Sequence, residues 1–438
     1  QYDMKLAIVG SGIAGLSAAH RLNPHAEVTL FEAGDYFGGH THTVDLTLNS
    51  PNGPITHGVD TGFLVFNKNT YPNLIELFDS LNVPTVKADM SFSVQAPLSQ
   101  RSRSLVWSGR DLNGVFAQRG NLFSLPFYIM LADVIRFNKL ATRLAGNQQG
   151  PALMQPLSSF LDQHRFSTSF REGYFLPMIS CIWSCPIDQM LQFPIASLIR
   201  FCHNHGLLQI RHRPQWWTVA GGARQYVDVI INKLTRKRLN SPIQRIERSE
   251  NGVVLYVNGQ HEHFDKVILA CHSDQALSLL AQPSQAEASC LRAIRYQSNM
   301  AVLHTDASVM PSKKRAWAAW NFERLNADVA DISSRVCLHY WINVLQPLPF
   351  SQEVFVSLNP LRDIDDSHIY SRFQYSHPIF DLPAVAAQKE IPSLQGRNNT
   401  YFCGAWTGYG FHEDGLKSGL NVATLLQESY PILNNFQS

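Results

Sequence analysis

The chain has 438 residues, 45% of them hydrophobic and 16% charged, a length that allows two or three domains with sizeable cores. Its 36 lysines and arginines against 34 acids leave a net charge of +2, which excludes a global field for nucleic acid. Seven cysteines with no Cys-x-x-Cys pair exclude a disulfide scaffold and fit a reducing compartment, so the expected location is cytoplasmic, with the inner face of the membrane as the alternative.

The chain opens on a buried strand expected at 5–10, a helix at 13–22 and a second strand at 27–32, with "NPH" (23–25) as the turn between them. No basic leader precedes the first apolar run, so it does not read as a signal peptide. From about 63 to 210 helical patterns dominate, rich in Phe, Trp, Leu and Pro. The segment 121–141 is the most apolar, yet it contains Asp133, Arg136 and Lys139, so it reads as a helix packed on a core, with peripheral membrane contact as the alternative and no transmembrane segment. Strand-like text returns over 216–285. Mixed text with aromatic strands follows over 290–395, then a strand at 400 running into glycines and a helix at 415–429. The short basic runs 211–214 and 236–238 read as solvated surface.

Gly10-x-Gly12-x-x-Gly15 sits where the first strand meets the first helix. The first glycine makes the turn, the second lets backbone approach a pyrophosphate, and the third lets helix and strand pack closely. The helix N-terminus, with Ile13 and Ala14, then faces the phosphates with free N–H groups and a positive dipole end. Glu32 stands 22 residues after Gly10, followed by Ala33, where an acid accepts hydrogen bonds from ribose hydroxyls and repels a 2′-phosphate. FAD and NAD satisfy this motif equally.

Further motifs resemble the flavin-containing amine oxidase and phytoene desaturase superfamily, in a bacterial branch of FAD-binding oxidoreductases. They are the Gly38-Gly39 doublet with Thr43, "VDTG" with Asp60 and Gly62, "TVAGGARQYVDVI" before a helix, Ile243 in "PIQRIER", and "YFCGAWTGYGFHEDGLKSGLNVA" near the end. Tyr36 and His40 stand where the family has arginines, and Ala405 where it has an acid. The resemblance implies a Rossmann-like α/β FAD-binding domain of the glutathione-reductase type, made of 1–62, 211–289 and 396–438. An interleaved α+β substrate domain would take 63–210 and 290–395. It also implies non-covalent FAD, with Gly38, Gly39, His40, Thr43, Asp60, Gly62, Ile243, Gly404, Trp406, Gly415 and Leu416 joining the front motif as cofactor residues. No second glycine fingerprint follows a strand, so electrons would leave to oxygen, a quinone or a partner protein rather than a built-in nicotinamide site.

The expected activity is hydride abstraction from a C–H bond of an apolar or lipid substrate, such as an unsaturated acyl chain. The alternatives are oxidation of a small amine, a non-redox isomerisation, as in fatty acid double-bond isomerases and a sugar mutase with this nucleotide layout, and a non-catalytic FAD-binding subunit. His42, Tyr409 and His412 are the catalytic candidates. The pairs His40/His42, His203/His205 and His261/His263 are each two apart, but none has a partner at a diagnostic spacing, so no metal site is expected.

Overall fold

A computed structural model describes residues 4–98, 103–146, 150–204, 213–325 and 336–434. The run Lys5–Val9 becomes the central strand of a five-stranded parallel sheet because it is apolar on both sides. Successive side chains alternate between faces. Leu6 and Ile8 enter one core with helix Ile13–Leu22, whereas Ala7 and Val9 enter another beneath an antiparallel three-stranded layer. The spatial order is Arg236–Arg238, Glu27–Phe31, Lys5–Val9, Lys266–Leu269, Thr400–Phe402. The covering layer is Ile243–Ser249, Gly252–Val257 and Gln260–Phe264. It is tied to helix Gln285–Ala293 by a buried bidentate pair, Arg248 to Glu287 at 2.6 and 2.7 Å.

The last helix, His412–Ser429, lies against Ile13–Leu22. The two backbones touch through small residues: a Cβ on Gly419 would sit 2.2 Å from the Ala14 carbonyl oxygen and from Ser17 Oγ. The helix begins three residues before the expected start because the Asp414 carboxylate accepts from the Phe411 N–H (3.0 Å). Glu413 instead caps a different helix, Pro72–Ser80, accepting from the N–H groups of Asn73 (2.8 Å) and Leu74 (2.9 Å).

A seven-stranded sheet runs in the order Ile369–Ile379, Arg295–His304, Phe355–Leu358, Cys337–Trp341, Trp320–Glu323, Phe92–Ala96, Leu105–Ser108. All its pairings are antiparallel except Trp320–Glu323 with Phe92–Ala96. A helical layer containing Leu125–Ala145, Leu176–Trp183 and Ile195–Asn204 accompanies it. Its core is aromatic, with Phe137, Phe160, Phe170, Phe175 and Phe193 all fully buried. A small sheet joins Phe66–Asn67 and Thr85–Ala88 to Trp216–Val219, so text from distant parts of the chain shares one hydrogen-bonded ladder. No helix among the described residues is long and apolar enough to cross a membrane.

Candidate functional site

The carboxyl ends of Lys5–Val9, Glu27–Phe31, Lys266–Leu269 and Thr400–Phe402 open onto one cavity of about 490 Å³. Parallel sheets place ligands there, because the turns leaving the strands can present backbone to a ligand while the strands stay rigid.

Gly10 adopts φ +107, and a Cβ there would lie 2.5 Å from the Ala270 carbonyl oxygen, so only glycine fits between neighbouring strand ends. Gly12 is different. It caps helix Ile13–Leu22 with ordinary φ of −67 and no side-chain hydrogen bond, and a Cβ on it would meet nothing within 4 Å. The helix therefore offers its first N–H groups to open space lined by Gly12, Ile13 and Ala14. Gly15 lies behind, where a Cβ would be 1.9 Å from the Gly10 carbonyl oxygen.

Glu32 lines the cavity, with Ala33 beside it. Its Oε2 accepts from the Ser11 N–H (3.1 Å) and from Ser11 Oγ, and its Oε1 accepts from the Gly34 N–H (2.9 Å). Three bonds leave a carboxylate with acceptor capacity for a further hydroxyl. Gly38 donates to the Ser11 carbonyl (3.0 Å), which draws the doublet over the loop at 10–12, and a Cβ on Gly39 would sit 2.8 Å from Gly12 Cα. Tyr36, in an arginine position of the family, donates its hydroxyl to the Gly39 carbonyl (2.9 Å) and braces the doublet. An open, uncapped helix start, glycines at the crossing and an acid at the second strand end together fit a dinucleotide.

Of the residues expected at the cofactor, Gly10, Gly12, Ile13, Ala14, Glu32, Ala33, Gly39, His40, Ile243, Gly404 and Trp406 line the cavity. Gly15, Gly38, Thr43, Asp60, Gly62, Gly415 and Leu416 do not, and packing explains them. Thr43 Oγ1 donates to Asp60 Oδ1 (2.6 Å), and Asp60 also accepts from the Ala223 N–H (3.0 Å), which ties the hairpin Thr43–Ser50/Gly53–Asp60 to the glycine turn at 221–222. Burial pushes the Asp60 carboxyl up to about 6, although both bonds favour the charged form. A Cβ on Gly62 would strike the His40 carbonyl oxygen at 2.0 Å, and one on Gly415 would come within 2.8 Å of Ile13 Cγ2. Leu416 is fully buried between the two long helices.

Among the catalytic candidates, His412 lines the cavity, while His42 and Tyr409 do not. His42 stacks on Tyr36 (4.1 Å) and its Nδ1 meets the Tyr375 hydroxyl (3.0 Å). The Tyr409 hydroxyl lies beside the Arg200 guanidinium. His412 stacks on Phe63 (3.9 Å), and its Nε2 is 2.8 Å from the Tyr226 hydroxyl. Phe411 lines the cavity beside it and stacks on Phe201 (4.5 Å).

His272 and His377 reach the cavity without having been expected there. His272 follows strand Lys266–Leu269 by three residues, as Gly12 follows Lys5–Val9, so its place near a parallel strand end was a readable signal. His377 comes from the edge strand Ile369–Ile379, and nothing local in "QYSHPIF" marks it. Asn299 Nδ2 donates to His377 Nδ1 (2.8 Å), which puts the ring proton on Nε2. Enclosure in the cavity wall lowers His40 to about 4 and His377 and His412 to about 3, helped in each case by neighbouring histidines, and it also lowers His272. Only His412 is buried outright; His272 and His377 are half-buried, and the His40 residue is exposed. The described part of the ring-lined end contains no carboxylate; the one acid on the cavity wall is Glu32.

Of the histidine pairs, His261 and His263 are exposed on one strand face, and His205 lies outside the described residues, as do Arg211 and His212. One buried cluster elsewhere, Glu323, Cys337 and His339, has metal-ligating groups, but it is already satisfied. His339 Nε2 is 2.6 Å from Glu323 Oε2, and Arg362 pairs with Glu323 Oε1 at 2.5 Å.

Residues 13–427 match the family model described as flavin containing amine oxidoreductase. Among solved structures, cyclohexylamine oxidase from Brevibacterium oxydans IH-35A superposes with a TM-score of 0.66 at 16% identity, covering 98% of this chain and 99% of that one. A fatty acid isomerase from P. acnes that produces CLA gives 0.64 at 16% identity over 98% and 99%. Reduced UDP-galactopyranose mutase gives 0.66 at 14% over 99% and 97%. At such identities the likeness is one of fold. No curated protein matches the chain in sequence.

Proposed function

The chain belongs to the flavin-containing amine oxidoreductase family, and from that premise we propose that it abstracts a hydride from a C–H bond of an apolar substrate such as an unsaturated acyl chain. It is an FAD-dependent oxidoreductase with an α/β fold of the amine oxidase type. When bound, FAD supplies the two-electron hydride acceptor.

The chain's own residues hold and shape the site. The N–H groups at Ile13 and Ala14 receive the pyrophosphate, and Glu32 receives the adenosine ribose. Gly39, Gly404 and Trp406 flank the remaining length of the cofactor. The substrate lies at the end lined by His40, His377, Pro378, Phe411 and His412. We assign the FAD-binding domain to 1–62, 211–289 and 396–438 and the substrate domain to 63–210 and 290–395. The parallel strands come from the first set, and the seven-stranded sheet from the second.

The observation that carries the substrate class is the electrostatic character of that end. Among the described residues the wall offers imidazoles whose pKa is lowered, a thiol, Cys271, whose pKa is raised, and one acid, Glu32, which is committed to Ser11 and Gly34 at the far strand end. A cationic amine would be desolvated there with no counter-charge, whereas an acyl chain loses nothing on entering. His40 lines the cavity with no hydrogen bond to its ring among the described residues, so its ring nitrogens are free to hydrogen-bond a bound group, while a pKa lowered to about 4 makes it a weak base.

The test is anaerobic mixing of the flavoprotein with panels of unsaturated fatty acids and of simple amines, following flavin bleaching and product identity. Conversion of a lipid, with or without accumulated reduced flavin, supports the reading. Rapid bleaching by amines with no lipid converted would reverse it.

A further inference from the structure

We infer that the outward face of helix Leu125–Ala145, with the turns before it, docks on an anionic lipid surface. This inference rests on surface chemistry alone and stands apart from the substrate reading.

Isolated apolar side chains on a surface need no explanation, but clustered ones do. Among the described residues thirteen large hydrophobics are exposed, and seven of them fall between Leu112 and Ile135. Phe123 is 92% exposed, Leu112 79% and Leu125 71%. The helix turns Phe127, Met130, Phe137 and Ala141 inward, at helical spacing. Its outward stripe is apolar at the start, through Leu125, Tyr128, Ile129 and Ile135, and basic afterwards, through Arg136, Lys139 and Arg143. The helix is therefore amphipathic on its inner side and carries a second apolar surface on its outer side.

Charge selects the occupant. From Leu112 to Ala145 every exposed charged side chain is a cation, and the exposed acid that adjoins this stretch, Asp111, accepts from the Gly114 N–H (2.7 Å). The one acid of that stretch, Asp133, is buried and held by Arg136 (2.9 Å) and the Ser167 N–H (2.9 Å). A second copy seated on this face would bring like cations together with no acid from this stretch to receive them. An anionic bilayer provides both halves of the match: apolar depth for Phe123 and Leu125, and phosphates for Lys139 and Arg143. The helix packs on Ile195–Asn204, whose Phe201 stacks on Phe411 of the cavity wall, so one helical layer separates the proposed lipid contact from the site.

The experiment is co-sedimentation of the FAD-loaded full chain with phosphatidylcholine vesicles, with and without phosphatidylglycerol, at two salt concentrations. Two double variants accompany it, Phe123→Ser/Leu125→Ser and Lys139→Glu/Arg143→Glu, with flavin absorbance and circular dichroism as folding controls. The docking reading expects binding to the anionic vesicles that weakens with salt. Each double variant should lower it by roughly tenfold or more, with flavin retained. Failure to bind anionic vesicles, or binding that neither double variant weakens, would overturn it. So would a concentration-dependent dimer that Phe123→Ser/Leu125→Ser abolishes in a chain that ignores vesicles.

Discussion

Gly12 and Gly15 are three residues apart in one motif, and their surroundings differ. At Gly12 the backbone already has φ −67, and an added Cβ meets no protein atom within 4 Å. For the apo-protein, Gly12→Ala trades a small loss of capping preference against a small reduction of unfolded-state entropy, each below about 1 kcal/mol, so the net change should be within about 0.5 kcal/mol. At Gly15 the added Cβ would stand 1.9 Å from the Gly10 carbonyl oxygen and 3.2 Å from Ala270 Cβ, and neither backbone can yield cheaply. Gly15→Ala should therefore cost the apo-protein about 1–3 kcal/mol or more. With FAD the ranking changes. The methyl of Gly12→Ala takes the space a pyrophosphate needs, so at least one charge-assisted bond, worth about 1.5–3 kcal/mol, is lost. A cofactor present at a hundred times its Kd stabilises the holoprotein by about 2.7 kcal/mol, and most of that should vanish. Urea unfolding of apo- and holoprotein, with flavin content read from absorbance, measures both quantities. Parent-like FAD affinity in Gly12→Ala, or an apo-protein as destabilised as that of Gly15→Ala, would refute the assignment.

Glu32→Ala should weaken FAD by about 1.5–3 kcal/mol, the scale of a hydrogen bond to a charged group, and should also loosen the turn at Ser11 and Gly34. Dialysis that strips flavin no faster from the variant than from the parent would remove Glu32 from the ribose. Asp60 has a folded pKa of about 6, above its unfolded value, so the native state binds the extra proton and this group's contribution to stability falls as pH rises from about 4 to about 6. Relative to the parent, Asp60→Asn should therefore gain about 2 kcal/mol between pH 4 and pH 6, a difference that cancels the other carboxyls. Urea midpoints at both ends measure it, and parallel pH profiles would show that folding leaves the Asp60 pKa unshifted.

The strand and helix pattern of the first thirty residues was legible because it is local. An apolar run buried on both faces, a glycine turn and a small-residue helix each satisfy their own geometry within a few residues. The glycines near 404–419 were legible for a related reason: the backbone passes so close to its neighbours there that an added Cβ would collide with them. The roles of single glycines were not legible. Gly62 and Gly415 carry the same signature as Gly12, yet one makes room for the His40 carbonyl and the other for Ile13, and only the packed structure distinguishes a gap for a ligand from a gap for the protein.

Two features depended wholly on the tertiary structure. The cavity wall collects His40, His272, His377 and His412 from a turn, a strand and helix starts up to 372 residues apart, and their lowered pKa values arise from an enclosure that no spacing encodes. The surface at Phe123 and Leu125 is the converse case. The sequence shows a helix apolar over much of its circumference, but a chain cannot declare which apolar side chains find partners. Burial is decided by the elements that arrive from elsewhere, and here they cover Phe127, Met130 and Phe137 and leave the opposite face to the solvent.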